Sequence, residues 1–405
     1  MKAFYERQRF VWKFLFNFWV VYCLICPFHI ELHAAWESGY THRKKGTFGT
    51  VDGGPHTHFP VLIDIDQTDL FGCNDDGDGS WDIMFTESDE TSDLDINWIY
   101  CVKDGDSVRI ICYVSQAGWA VNDGTEFYMY YENDAAGDPG TDAGVWDANY
   151  IMVHHLHDAA GTLTDSATTG NSHDSASETI TAYQQAGKIH QAISLDGAND
   201  YYTVADHADF TVDEFTLEGW FYADARSDGE YLWSKIDGTS DDGWTAYSFW
   251  SDPEDLIKTT TEVADTQRIT ISDEDTYPAT TWFYFAQVQD TDGVVNVYYN
   301  GSEQTDSDTI DGEKDSSDPL YVGRKRADSD HWAGDIEEVR FSDTNRSANW
   351  LAFQYDNANE ADNEISWGAE ESAPASYTPR VIIIMGSYVL PGFIFVRTRR
   401  RKIKK

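Results

Sequence analysis

The sequence predicts an all-β protein built from two antiparallel β-sandwiches. Short runs with apolar residues at every second position recur through the middle of the chain, clusters of Gly, Asp and Asn separate them, and no long segment keeps a 3.6-residue apolar period. The 15 Trp, 23 Tyr and 21 Phe among 405 residues supply enough apolar volume for two cores and exclude a disordered chain.

The elements follow in order. Basic residues through Lys13 precede the apolar run 14–28, and a short polar stretch then ends at Ala34 and Ala35. This is the layout of an export signal, so residues 1–35 are read as a signal peptide, with an uncleaved signal anchor as the alternative. Cys23 and Cys26 lie inside the run, and their spacing is read as accidental.

Residues 36–150 give the first sandwich, with strand-like runs at 59–65, 81–85, 95–102, 107–114 and 125–131. A two-residue Asp104-Gly105 loop would set Cys101 opposite Val108 and Cys112 opposite Asn97, so no disulfide is expected between the two cysteines. Residues 151–371 give the second sandwich, with loops from 158 to 188 and strand-like runs at 192–195, 215–221, 231–236 and 246–250. Two hairpin signals follow: 282–288 turns through Thr291-Asp292-Gly293 into 294–299, and Asn300-Gly301 suits the positive φ angles of a type I′ turn. A helix is expected over 347–357, where Trp350, Leu351, Gln354 and Tyr355 share a face.

Residues 372–380 read as a linker, 381–396 as an apolar membrane anchor, and 397–405 as a basic cytoplasmic tail. Sixteen residues cover roughly 24 Å of the ~30 Å hydrocarbon core, and Arg380 and Arg397 can snorkel to supply the rest. The Pro391-Gly392-Phe393 triplet is similar to that of archaeal sortase-type tails, but it lies inside the run instead of before it. A buried terminal strand is the alternative.

The chain carries 28 basic and 71 acidic residues, a formal net charge of −43. Without residues 1–35 and 380–405 the balance is 16 basic against 69 acidic, a field that repels phosphate backbones and argues against nucleic acid as a partner. The excess of Asp suits either oxygen-ligand calcium sites or plain solubility.

In order, Ala192–Val204 with its Leu195-Asp196-Gly197 corner, Phe215–Trp220, Trp282–Ala286, Val297–Gly301, Leu320–Arg324 and Gly334–Phe341 resemble the concanavalin A-like, laminin G type jelly roll. Upstream, Tyr40–Lys45, Phe59–Ile65, Asp76–Phe85 and Glu126–Asn133 look like an uncharacterised β-sandwich domain of exported microbial surface proteins. Gly144–Tyr150 and Val153–Asp158 resemble the usual junction, and Arg346–Trp350 through Ser366–Glu371 the usual close. The resemblance implies a surface module, often glycan-binding, without naming a ligand. It also implies a calcium set at the positions where some relatives carry the ion, here Asp196, Asn199, Asp200 and Glu337. Glu337 stands where those relatives have Asp.

The ligand-facing region of such jelly rolls corresponds to Trp233, Trp244, Tyr247 and Trp250, which are read either as core or as aromatic faces for sugar rings, whereas Trp220 and Trp282 are read as core. The paired-carboxylate pattern of glycosidases with this fold is missing, although Asp335 and Glu337 alternate on one strand. No catalytic residue is assigned. Asn74–Gly79 opens like an EF-hand loop but has Phe85 at its twelfth position, so it reads as a turn. His154 stands beside His155 and His157, which would project to one side of a strand, and His56 with His58 repeats that spacing, but nothing identifies the further ligands that a zinc site needs. The reading is therefore an extracellular, membrane-anchored protein that binds glycans or another surface ligand. A structural adhesive protein without a sugar site is the alternative, and a glycoside hydrolase the third.

Overall fold

The computed structural model describes residues 36–374 except 68–82, 105–106, 134–143, 168–169, 237–241, 252–253, 265, 274–276, 313, 315, 327–328 and 360–363. The expected signal, anchor and basic tail lie outside the described residues, as do Asn74–Gly79 and Cys73. Among the described residues no helix is long and apolar enough to cross a membrane.

Eight strands come from the first sandwich region: β1 (His42–Phe48), β2 (His56–Thr57), β3 (Val61–Gln67), β4 (Ile83–Glu87), β5 (Asp93–Asp104), β6 (Ser107–Ser115), β7 (Ala120–Val121) and β8 (Glu126–Tyr131). Alternation sends Ile83 and Phe85, Leu94 and Ile96, and Phe127, Met129 and Tyr131 into one core. The antiparallel order is β1-β8-β4-β5-β6-β3, with β2 and β7 paired separately. β5 serves two partners, β4 through Asp93 and Leu94 and β6 from Asp95 onward. A register shift between Trp98 and Tyr100 marks a bulge, which increases local twist. The hairpin differs from expectation. Asp104 pairs with Ser107, so the loop spans 105–106; together with the bulge this sets Cys101 opposite Ile110 and Cys112 opposite Trp98. Cys112 is a buried free thiol.

The second region supplies β9 (Tyr150–His154), β10 (Ser175–Thr179), β11 (Ala182–Ala186), β12 (Gln191–Asp196), β13 (Tyr201–Val204), β14 (Phe215–Ala223), β15 (Tyr231–Ile236), β16 (Gly243–Ser251), β17 (Glu254–Val263), β18 (Thr266–Ile271), β19 (Trp282–Gln289), β20 (Val294–Tyr299), β21 (Ser302–Thr309), β22 (Leu320–Val322) and β23 (Ala333–Ser342). Two sheets result, a seven-stranded one in the order β10-β13-β22-β15-β16-β17-β18 and an eight-stranded one in the order β11-β12-β23-β14-β19-β20-β21, with β9 also on β23. Between them lies a core that includes Phe221, Trp233, Trp244, Phe283, Phe285, Ile336 and Phe341. The Asn300-Gly301 turn forms as expected: both residues have positive φ, 47° and 75°, and Tyr299 pairs with Ser302. β10 and β11 fall where loops were expected. Their side chains are mostly polar and partly or fully exposed, so they carry little apolar alternation to read.

The chain then returns to the first sheet. Helix α1 (Ala348–Asn359) buries Trp350, Leu351 and Phe353 in the first core, and β24 (Ile365–Trp367) and β25 (Glu371–Ser372) both pair with β1. The first unit is thus discontinuous in sequence. At the opposite edge, the Asn357 amide of α1 accepts from Leu62 N at 2.7 Å and donates to Leu62 O at 3.1 Å, standing in for a neighbouring strand. Trp220, Tyr284, Ala286, Val288 and Tyr298, on the outer face of the eight-stranded sheet, join the same apolar cluster as α1 and the first core. That face is therefore covered.

Candidate ligand-binding face

The seven-stranded sheet turns its other side outward. Tyr202, Leu320, Val322, Trp233, Ala246 and Ile257 point into the core, so alternation sends Thr203, Tyr321, Ser234, Tyr247 and Lys258 to the other side, and a register shift between Tyr231 and Trp233 brings Tyr231 there as well. Register then lines up Tyr231, Tyr247, Lys258 and Ile271 across β15 to β18. A second line runs Thr203, Tyr321, Ser234, Thr245, Thr260 and Ile269, of which Thr203, Ser234, Thr245 and Thr260 are buried and Tyr321 and Ile269 reach solvent. The first line is aromatic at one end, where the rings of Tyr231 and Tyr247 stack at 4.9 Å with 19° between planes and Lys325 Nζ lies 5.5 Å from the Tyr231 centroid. The guanidinium of Arg324 lies 3.6 Å from the Tyr201 centroid and 4.9 Å from that of Tyr321. Burial, helped by Tyr247 and Asp330, pushes the Tyr231 phenol up to about 12, which keeps it a neutral hydrogen-bond donor at neutral pH.

At the other end the lines run into a groove of about 360 Å³ lined by Leu256, Lys258, Ile269, Ile271, Asp273 and Thr305. Its wall is fixed where the two sheets meet: Ile271 N donates to Asp306 Oδ2 at 2.9 Å, Asp273 N to Gln304 Oε1 at 3.0 Å, and Thr305 Oγ1 to Asp273 Oδ1 at 2.5 Å. Ile269 is 44% exposed, an apolar side chain presented to solvent beside these polar groups. Tyr231 is buried in its stack, whereas Tyr201, Tyr247 and Tyr321 are partly exposed, and partly exposed tyrosines next to a polar, partly apolar groove suit a ring-shaped ligand with hydroxyls at its rim.

The predicted aromatic set is divided by this arrangement. Trp233 and Trp244 are fully buried: Trp233 packs on Phe221 and Phe285 and donates to Gln287 Oε1 at 3.1 Å, and Trp244 stacks on Phe341 at 5.6 Å. Both belong to the core, which corrects the reading of them as sugar platforms. Tyr247 alone of the set is placed on the outer face; Trp250 belongs to β16, but its side chain lies outside the described residues. Trp220 is buried under α1, and Trp282 packs against the same cluster. Reading by sequence alone missed Tyr201, Tyr231, Tyr321, Arg324 and Lys325. The available signal was the Tyr or Lys next to a core residue in each of β13, β15, β17 and β22.

The calcium set is also divided. Asp196 Oδ1 accepts from the N–H groups of Ala198, Asn199 and Asp200, and these bonds hold its carboxyl below the usual range. Asp200 is buried and accepts from Thr181 Oγ1 at 2.9 Å and, more weakly, from Asn199 Nδ2. Asp196 pairs with Ala333, which puts Glu337 roughly 13 Å further along β23. Glu337 is buried and accepts from the N–H groups of Lys188 at 2.5 Å, Ile189 at 3.0 Å and His190 at 2.7 Å. A Cβ on Gly187 would stand 2.5 Å from Glu337 Oε2, so the approach depends on glycine. The four residues therefore do not converge on one ion, and Glu337 is bound up in backbone hydrogen bonds.

Of the histidines, His155 and His157 stay together, their rings stacked at 5.6 Å, but His155 is taken up between Glu338 Oε1 and Asn97 Oδ1, each at 2.6 Å, while His154 Nε2 faces the carbonyl of His173 at 3.0 Å. His56 packs on Phe59, Trp350 and Phe353, and His58 faces Gly144 O at 2.8 Å. Around Glu338 the junction is charged and closely packed. Arg340 Nη2 donates to Glu338 Oε2 and to the Tyr113 hydroxyl, each at 2.5 Å, and the remaining gap of about 10 Å³ has room for about one water.

Residues 196–352 match the family model described as the concanavalin A-like lectin/glucanases superfamily. This stretch is a concanavalin A-like jelly roll. The jelly roll lies within a chain similar to the botulinum neurotoxin serotype D binding domain (15% identity, TM-score 0.40, 52% of each chain covered). It is also similar to the botulinum neurotoxin type G receptor binding domain (17%, 0.39, 51% of each) and to a serotype D ligand binding domain in complex with N-acetylneuraminic acid (16%, 0.41, 52% of this chain and 51% of that one). The chain thus spans about half the length of each. No curated protein sequence matches it.

Proposed function

We propose that this chain is a non-enzymatic surface protein that binds glycans on the outer face of the seven-stranded sheet. The observation that carries the reading is the line Tyr231, Tyr247, Lys258 and Ile271 running into the groove, with Arg324 over Tyr201 and Tyr321 beside it. Tyrosine faces take the C–H side of a sugar ring, and Thr, Asp and Lys groups around the groove bond its hydroxyls. In this reading residues 1–35 direct export, 381–396 anchor the chain and 397–405 stay in the cytoplasm.

The adhesive alternative, pairing through sheet edges, has less support. Asn357 covers the edge of β3, and Asp306 ties β18 to β21. A glycosidase has less support again, because Glu337 is engaged by three backbone N–H groups.

The test is a glycan array probed with the full chain, with and without EDTA, followed by Tyr247→Ala and Arg324→Ala. Selective binding weakened tenfold or more by either variant supports the reading. No binding from folded protein, or binding that ignores both substitutions, refutes it. Binding lost in EDTA and restored by Ca²⁺ alone would assign calcium to the Asp196–Asp200 turn.

A further inference from the structure

Two histidines and an aspartate that the outer face does not use meet elsewhere in the jelly roll. His173 belongs to the segment between β9 and β10, while His207 caps the 3-10 turn Ala208–Phe210 that follows β13 and Asp209 is its middle residue. His173 Nε2 and His207 Nδ1 each lie 3.1 Å from the same oxygen, Asp209 Oδ2. One ligand atom from each of the three residues falls within 4.8 Å of the others. Ligands bound tetrahedrally to zinc at 2.0–2.1 Å are about 3.3 Å from one another, so two of the three ligand separations already approach that spacing.

Neighbouring groups hold this geometry from outside. His173 N donates to Asp165 Oδ2 at 2.9 Å, its carbonyl faces His154 Nε2 at 3.0 Å, and its ring packs on Phe210 at 4.8 Å. The lone pair of His207 Nδ1 accepts from Asp209 N at 3.2 Å, a bond that the ion or a turn of the ring would replace, and Asn171 Nδ2 donates to Asp209 Oδ2 at 3.0 Å. Such outer-shell bonds orient ligands before an ion arrives. Access is open on one side: the His173 side chain is 4% exposed, whereas those of His207 and Asp209 are 42% and 27% exposed.

We propose that His173, His207 and Asp209 form a site for a divalent first-row transition ion of the zinc type, with a remaining coordination position open to solvent. Two imidazole nitrogens and one carboxylate are a donor set for such ions and not for calcium, which takes oxygen ligands. His173 contributes Nε2, Asp209 contributes Oδ2, and the half-exposed His207 ring can turn to present either nitrogen. Binding replaces the contacts between the imidazoles and Asp209 with bonds to the ion, and any proton on the ligating nitrogens is released to solvent.

The test is calorimetric titration of the metal-free full chain with Zn²⁺, repeated with Co²⁺ followed by visible absorption, for the parent, His207→Ala and Asp209→Asn. We expect one ion per chain, a Co²⁺ spectrum of low-coordinate type, no competition from excess Ca²⁺, and a rise in Kd of tenfold or more in both variants. His173 is buried and its truncation can unfold the loop, so the half-exposed His207 carries the test, with circular dichroism confirming that each variant is folded. His42→Ala controls for the other histidine beside two carboxylates, Glu132 and Glu370. Absence of uptake, parental affinity in both variants, or loss of uptake in His42→Ala alone overturns the proposal.

Discussion

The guanidinium of Arg324 lies over the ring of Tyr201, 3.6 Å from its centroid, and this places a cation between two outward tyrosines of the seven-stranded sheet. A planar cation held on an aromatic face contributes about 0.5–2 kcal/mol there, and a lysine ammonium cannot reproduce the stacked plane. Arg324→Lys is therefore expected to weaken ligand binding nearly as much as Arg324→Ala, while the unfolding free energy falls by no more than about 2 kcal/mol. Parallel binding titrations and urea melts of the two variants check this; full binding by Arg324→Lys would show that charge alone matters.

Trp244 and Tyr247 sit three positions apart in β16 with opposite roles. Trp244 fills the space against Phe215 and Phe341, so Trp244→Ala should cost about 3–5 kcal/mol of stability. Tyr247, partly exposed on the sheet, should cost about 1 kcal/mol when truncated but should lower ligand binding. Urea unfolding set beside binding separates the two outcomes, and equal destabilisation by both substitutions would contradict the outward placement of Tyr247.

How far the sequence revealed this follows from the same strand. Alternation and turn chemistry were enough for the all-β class and for the Asn300-Gly301 hairpin, because local φ and burial periods are written residue by residue. Which side of a strand faces its partner sheet depends on long-range pairing, so Trp233 and Trp244 could be read as platforms until Phe221, Phe285 and Phe341 closed over them. The hairpin loop falls one residue later than turn chemistry placed it, which moves Cys101 opposite Ile110, and the bulge between Trp98 and Tyr100 then shifts the register once more. The His173, His207 and Asp209 cluster was hidden for a different reason: thirty-four residues separate the first two, and no spacing rule spans such a gap.

Asn357 caps the edge of β3 by bonding both backbone groups of Leu62. Leu62 is 1% exposed, so truncation leaves a buried N–H and C=O without that partner. Asn357→Ala should cost about 1–3 kcal/mol, and the Leu62 amide should exchange faster with deuterated solvent. Unchanged exchange at Leu62 would mean that water replaces the cap at no cost.

Glu338 gives the molecule an acid-sensitive junction. Burial alone would raise its carboxyl, but His155 and Arg340 outweigh burial and hold it down to about 2, against 4.5 for an unperturbed Glu. Between these values the unfolded chain binds a proton that the folded chain refuses. The resulting stability, on the order of 3 kcal/mol, is fully present above pH 4.5 and is lost as the pH falls toward 2. The adjacent Glu337 acts in the opposite sense: burial first, then the Glu338 carboxylate, push it up to about 8 against the three backbone N–H groups, so its own contribution declines as the pH rises from 4.5 through 8. Below pH 4.5, where Glu337 is protonated in both the folded and the unfolded chain, subtracting a Glu338→Gln variant from the parent isolates the first effect. Urea unfolding at a series of pH values should give a difference that shrinks steadily below pH 4.5, since the variant cannot lose a charge it never had. A difference independent of pH would mean that Arg340 and His155 do not hold the carboxylate in its charged form.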